Sequence, residues 1–198
     1  MSVSIDDQRR AALRARRRLA PQQAHMASRQ ACQRIARLPV FRRARRIGLY
    51  WPMRHEADPR QLLPYFQAHQ QAFLPRVAGQ QLEFVTIDGP GFRQRRSALG
   101  IVEPTLRHAR PVAALDLLIM PLAAFDAAAR RIGMGGGFYD RTLAAKRNGG
   151  FRGPWLLGLA FDVQRVDPIA TRAWDIPLDA VASDAAIYRR ATCPGSLR

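Results

Sequence analysis

The hydrophobic positions change their spacing several times along the chain, and each change marks an element. Ser4 stands before Ile5, Asp6 and Asp7, which suits a helix cap with acids in the first turn. The stretch that follows carries Arg9, Arg10, Arg14, Arg16, Arg17 and Arg18, with Leu13 and several alanines as a thin apolar side. Pro21 fits the first turn of a second helix over 22–38. There Ala24, Ala27, Ala31, Ile35 and Leu38 recur at helical intervals and form one buried face; Pro39 ends it. The period then shortens. Residues 47–51 (IGLYW) are a continuous apolar run, the mark of a buried strand, and 52–56 read as a loop. Pro59 opens a third helix to residue 69, and strands are expected at 72–75 and 82–87. The segment 88–110, with its DGPG and EP turns, reads as irregular or lid-like. Residues 115–120 (LDLLIM) give the strongest strand signal, followed by a loop at 121–131, a helix at 139–147, a strand at 155–161 and a short strand at 181–183.

Strands that alternate with helices imply an α/β fold, a layered and mostly parallel sheet flanked by helices. The expectation is a single domain over 1–190 with an N-terminal basic helix, and a flexible tail at 191–198. Open α/β sheets bind ligands in a crevice at the carboxyl ends of their strands. Three stretches fall just past expected strands: Trp51 to Glu56, Arg76, and a glycine run further on.

Charge narrows the choice of partner. The formal net charge is +17, from 32 Lys and Arg against 15 Asp and Glu, and Lys146 is the single lysine. Such a field attracts anions, whether nucleic acid, nucleotide or a small polyanion, without choosing between them. Cys32 and Cys193 stand near opposite ends and outside any CxxC pattern, so a reducing compartment with free thiols is expected. The four histidines are scattered without metal-ligand spacing. No run approaches the ~20 apolar residues of a membrane span. The arginine-rich start has some transit-peptide character, but Asp6 and Asp7 argue against it, and the expected location is the cytoplasm.

The glycine run is RIGMGGGFYDR, Arg131 to Arg141, with four glycines within five positions. No Gly-Lys-Ser/Thr follows, which excludes a Walker loop. Phe138 stands where a dinucleotide fingerprint needs its last glycine. Two readings remain open: a cradle whose N–H groups hold phosphate ahead of a helix start, or a turn that lets backbone pass close to the sheet.

The run resembles the pattern R-[IL]-G-x-G-x-G-[FY]-Y-D-[RK] of the 5-formyltetrahydrofolate cyclo-ligase family, also called methenyltetrahydrofolate synthetases. Other pieces occur in the family's order: the basic first helix, Trp51 to Glu56, Phe73-Leu74-Pro75-Arg76, Glu103-Pro104, Leu115-Asp116-Leu117-Leu118 with Pro121, and Phe125-Asp126. The resemblance covers roughly 5–185. It implies an enzyme that uses ATP and Mg²⁺ to close 5-formyltetrahydrofolate into 5,10-methenyltetrahydrofolate. By match to the family, ATP is expected at Asp6, Arg10, Arg14, Arg131, Ile132, Gly133, Met134, Gly135, Gly136, Gly137, Phe138 and Tyr139. The folate is expected at Trp51, Glu56, Phe138 and Tyr139, with Arg131 and Tyr139 in catalytic roles. Asp140 and Asp179 are the expected Mg²⁺ ligands. Glu56 suits the folate because a carboxylate can accept two hydrogen bonds from a 2-aminopyrimidinone edge; its alternative is a solvated loop acid. The partners implied are ATP and a folate that can carry a polyglutamate tail, bound by a monomer, with no membrane.

Met134 and Gly136 stand where some family members have basic residues, so positive charge must come from Arg131 or the first helix. Two competing classes remain. A nucleic-acid-binding protein built on the arginine helix explains the charge but not the glycine run with its FYD ending. A regulator that binds ATP without turnover explains the altered loop.

Overall fold

The computed structural model describes residues 4–87, 94–96, 102–105, 108–147 and 153–190. Helix α1 (Ile5–Arg17) starts at Ser4, whose Oγ accepts the Asp7 N–H at 3.1 Å. Helix α2 (Pro21–Ala36) ends earlier than the sequence pattern suggests, because Pro39 opens a separate short helix, α3 (Pro39–Arg43), instead of only closing the one before it. Strand β1 (Arg46–Gly48) is shorter than 47–51, although Leu49 still donates to the Phe73 carbonyl at 2.8 Å. The expected helix after Pro59 is a 3-10 turn, Pro59–Tyr65, since Pro64 lacks the N–H that a longer helix needs.

Next come β2 (Gln71–Ala78), β3 (Gln81–Thr86), β4 (Gln94–Arg96), β5 (Val102–Pro104) and β6 (Ala109–Arg110). The last three lie within the segment read as irregular: β4 pairs with β5, and β6 joins the main sheet beside β3. Whether 88–110 closes as a lid falls largely on residues outside those described, as does the tail at 191–198. Strand β7 (Leu117–Pro121) leads to β8 (Ala124–Phe125) and β9 (Arg131–Ile132), an antiparallel pair hidden in the stretch read as a loop. The helical segment after the glycines is broken at Leu143 into α4 (Phe138–Thr142) and α5 (Ala144–Arg147). Strands β10 (Trp155–Leu159), β11 (Ala180–Ala182) and β12 (Ile187–Arg189) complete the chain, and β12 carries too short a pattern to be seen in sequence.

Eight strands form one sheet in the order β12-β11-β10-β7-β1-β2-β3-β6. The pairings from β11 through β2 are parallel and the outer ones antiparallel, so the α/β expectation holds. Alternate residues face opposite layers. Leu117, Ile119, Leu157 and Leu159 pack against α2, while Leu118, Met120 and Leu156 pack with Leu143, Phe138 and Tyr139 on the other side. From β1 the chain moves to β2 on one side, then returns to place β7 on the other. This reversal opens a crevice where β1 and β7 end.

Candidate active site

The crevice at the carboxyl ends of β1, β2 and β7 holds a cavity of about 400 Å³. Tyr50 and Trp51 line it from the end of β1, Pro75 and Val77 from β2, and Pro121 from β7. Glu56 closes one side, and the glycine loop with Arg131, Phe138, Tyr139 and Asp140 forms the opposite wall. A larger and more open depression, about 840 Å³, lies beside Asp126. Its acid is already engaged: the buried Asp126 carboxylate accepts the N–H groups of Ala128, Arg130 and Ile169. The crevice therefore has the better claim.

Glu56 is delivered by a tight turn. His55 sits in the left-handed region (φ 66), uncommon for a side chain of its size, and Glu56 Oε2 accepts the Met53 N–H at 2.9 Å. The Glu56 side chain is only 5% exposed, and its nearest cation is the Arg16 guanidinium, Nη1 to Oε1 3.8 Å. Burial pushes the carboxyl above its ordinary range, while the Met53 N–H and Arg16 pull it back. Tyr50 donates its hydroxyl to the Ala57 carbonyl at 2.6 Å and fixes the same turn. Trp51 is stacked by Arg60, whose Cζ lies 4.6 Å from the ring centroid.

The glycine loop is pinned at both ends. Arg9 Nε donates to the Gly133 carbonyl at 3.1 Å. Arg141 donates to the carbonyls of Gly136 and Gln80, each at 2.8 Å. Gly135 (φ 102) and Gly137 (φ 65) adopt conformations that side chains resist, and a Cβ on Gly137 would lie 2.6 Å from Arg141 Nη1. Met134, Gly135 and Gly136 are left exposed between the pins. Helix α4 has only 5 residues, so its dipole is small, and the donors this wall can offer are the loop N–H groups and nearby cations. Arg131 is buried and ion-paired with Asp140, yet its Nε has no partner. Such an unpaired buried donor is costly unless a ligand satisfies it. Burial pushes the Tyr139 phenol well up, reinforced by Glu56 and opposed by Arg131, so it stays a neutral O–H donor.

Thus Trp51, Glu56, Arg131, Gly133, Met134, Gly136, Gly137, Phe138, Tyr139 and Asp140 meet in one cavity. Gly135 lines the adjoining groove with Arg9, Asp140 and Asp175. Other expected residues are not brought there. Ile132 is buried in a separate small core with Ala12 and Ile169, because the β8–β9 hairpin turns it away. Asp6 pairs with Arg9, and Arg10, held by Asp7 at 2.6 Å, is exposed like Arg14. The helical period explains this: Arg9 and Arg16 share the inward face with Ala12, whereas Arg10 and Arg14 point outward. Asp179 is a correction. Its Oδ2 accepts the Leu156 N–H at 2.7 Å at the start of β10, the end of the sheet away from the crevice. The acid that joins Asp140 at the groove is Asp175, four residues earlier.

The family model for 5-formyltetrahydrofolate cyclo-ligases matches residues 3–184. The chain belongs to the 5-formyltetrahydrofolate cyclo-ligase family. A 5-formyltetrahydrofolate cyclo-ligase of Escherichia coli K12 is 34% identical over 179 residues, 87% of this chain and 96% of that protein. One from Haemophilus influenzae is 33% identical over 161 residues, 79% of this chain and 84% of the relative. The solution structure of Aquifex aeolicus 5,10-methenyltetrahydrofolate synthetase superposes with a TM-score of 0.82 at 25% identity, covering 98% of this chain and 96% of that one. A Mycoplasma pneumoniae 5,10-methenyltetrahydrofolate synthetase shares the fold with a TM-score of 0.70 at 21% identity, covering 92% of this chain and 99% of the other.

Proposed function

We propose that the crevice closes 5-formyltetrahydrofolate into 5,10-methenyltetrahydrofolate at the expense of ATP, with ADP and phosphate released. One observation carries the reading: a single cavity has a buried carboxylate on one side and, on the other, a pinned glycine loop with a buried arginine. The carboxylate suits the donor edge of a pterin, and the loop suits phosphate. In this reading Phe138, Tyr139 and Trp51 pack against the folate rings.

The chemistry is a transfer followed by a displacement. The formyl oxygen attacks the γ-phosphorus and ADP leaves, which makes the formyl carbon electrophilic. The N10 nitrogen attacks that carbon and loses its proton; phosphate then leaves with the C–O bond electrons. Transfer of this kind depends on positioning and charge neutralisation more than on covalent help. The N–H groups of the loop from Gly133 to Phe138 hold phosphate oxygens, and Arg131 adds positive charge at the start of the loop. The basic helix α1 supplies further charge, from Arg9 at the loop and from Arg10 and Arg14 on its outer side.

Mg²⁺ needs a modest donor set here. Among the described residues no group of three His, Cys, Asp or Glu stands ready for a metal. Mg²⁺ bound with a nucleotide is usually held by one or two carboxylates and the phosphates themselves. Asp140, with Asp175 beside the same groove, fits that pattern and is the proposed carboxylate set. Bound there, the ion neutralises developing charge on the phosphates.

The reading is tested by incubating the protein with 5-formyltetrahydrofolate, ATP and Mg²⁺ and following the near-ultraviolet band of the methenyl product. Formation that needs all three supports it. No product from folded protein, with every reagent confirmed active, rejects it.

A further inference from the structure

Arg16 is the least expected residue near the crevice. It belongs to a helix whose other arginines are mostly solvated, yet its side chain is 6% exposed. It does not line the cavity; it stands behind Glu56, with Nη1 3.8 Å from Oε1. That separation is too long for a hydrogen bond but short for a charge pair in a buried setting. Arg16 Nε has no partner at all. A guanidinium buried with so little hydrogen bonding is a poor device for stability alone.

The geometry explains what it gains. Glu56 Oε2 accepts one N–H, from Met53, and Oε1 makes no hydrogen bond with Arg16. A closer, bidentate contact would fill the lone pairs that a ligand needs. At 3.8 Å the cation acts by charge and leaves Oε1 open to the cavity. Tyr50 and Tyr139 are the other titratable groups against Glu56, and both are held neutral by burial, so Arg16 is its only nearby countercharge among the described residues.

We infer that Arg16 is a positioning residue for the folate pocket: it keeps Glu56 ionised from behind, without occupying the lone pairs that accept the donor edge of the pterin. This rests on the reading of Glu56 as the folate acceptor. A buried carboxylate without a countercharge takes up a proton and becomes partly a donor, which clashes with the N–H groups of the ligand.

The test is a double-mutant cycle on direct binding. Dissociation constants of 5-formyltetrahydrofolate and of Mg²⁺–ATP are measured separately for wild type, Arg16→Met, Glu56→Gln and the double variant. Arg16→Met is expected to weaken folate binding roughly 10- to 100-fold, the loss of a hydrogen bond to a charged group, and to leave ATP binding within about twofold. Arg16→Lys, which keeps the charge, is expected to recover most of that loss. The double variant is expected to bind folate like Glu56→Gln alone, since Arg16 acts only through Glu56. Unchanged folate binding in Arg16→Met overturns the inference. So does full additivity in the double variant, or an equal loss of ATP binding. If Arg16→Met does not fold, the comparison of the double variant with Glu56→Gln still decides, because the double variant leaves no buried charge alone. Wild-type protein that does not bind 5-formyltetrahydrofolate rejects the folate reading itself, a different failure from one confined to Arg16.

Discussion

Two carboxylates with opposite surroundings line the crevice. Glu56 is buried and held by one N–H and a distant cation, whereas Asp140 is partly exposed and ion-paired with Arg131. Asp140→Asn is expected to lower Mg²⁺-dependent turnover by ~10²-fold or more while leaving folate affinity within about twofold. Steady-state rates and a folate titration check both parts, and unchanged turnover would remove Asp140 from the metal site. A third acid, Asp116, has a structural task. Burial pushes its carboxyl up, but the N–H groups of Arg46 and Arg45, at 2.7 and 2.9 Å, and the Arg46 side chain outweigh that and hold it below its usual 3.8. A depressed acid contributes stability above its unfolded value and loses it as pH falls through the folded one. Thermal melting should therefore decline as pH drops below 3.8 more steeply in wild type than in Asp116→Asn. Equal slopes would remove Asp116 from that account. Residue identity alone did not single out Glu56, Arg131 or Asp140, for which a solvated position is the ordinary reading; the match to the family motif did. Nor did it separate Arg9 and Arg16 from Arg10 and Arg14, since charge composition is blind to which helical face packs inward. Reading Ile5, Ala12 and Leu19 as the buried stripe would have found the inward pair.

The glycine loop is held at both ends, and the sheet beneath it is tightly packed. Gly137→Ala forces a positive φ and a clash with the Arg141 side chain that pins the loop. It is expected to raise the Michaelis constant for ATP by roughly tenfold, with about 1 kcal/mol lost in stability; kinetics that match wild type would mean the loop conformation is not used. Gly158 in β10 has a different task. A Cβ there would lie 2.6 Å from Leu122 Cδ2 and 2.8 Å from Leu178 Cδ1, so Gly158→Ala is expected to cost about 1–3 kcal/mol in denaturant unfolding. Retained stability would show that Leu122 and Leu178 repack freely. Long apolar strands such as β7 and β10 were legible because burial on both faces leaves continuous runs. Two-residue strands such as β8, β9 and β6 were not, since pairing partners and not local pattern create them. The break at Leu143 within the helical segment after the glycines was not legible, because nothing in its composition marks it.

At the scale of the molecule, strand order and charge act together. The reversal between β2 and β7 around β1 brings the Trp51–Glu56 loop against the glycine loop although they lie about eighty residues apart in the chain. The crevice was foreseeable as a rule of such sheets, but the partners that face one another across it follow from topology. The chain carries a net charge of +17, and both proposed substrates are anions. Capture of 5-formyltetrahydrofolate should slow as salt rises from ~0.05 to ~0.5 M, more steeply for polyglutamylated than for monoglutamyl substrate. Salt dependence independent of tail length would mean that the basic surface does not steer the folate. The central claim is that one cavity couples ATP cleavage to ring closure. Its most direct measurement counts ADP and methenyl product in the same reaction, sampled over the first turnovers with 5-formyltetrahydrofolate, ATP and Mg²⁺ present. The account predicts one ADP for each methenyltetrahydrofolate, and neither without the folate. ADP released without ring closure, or ring closure without ADP, would contradict it.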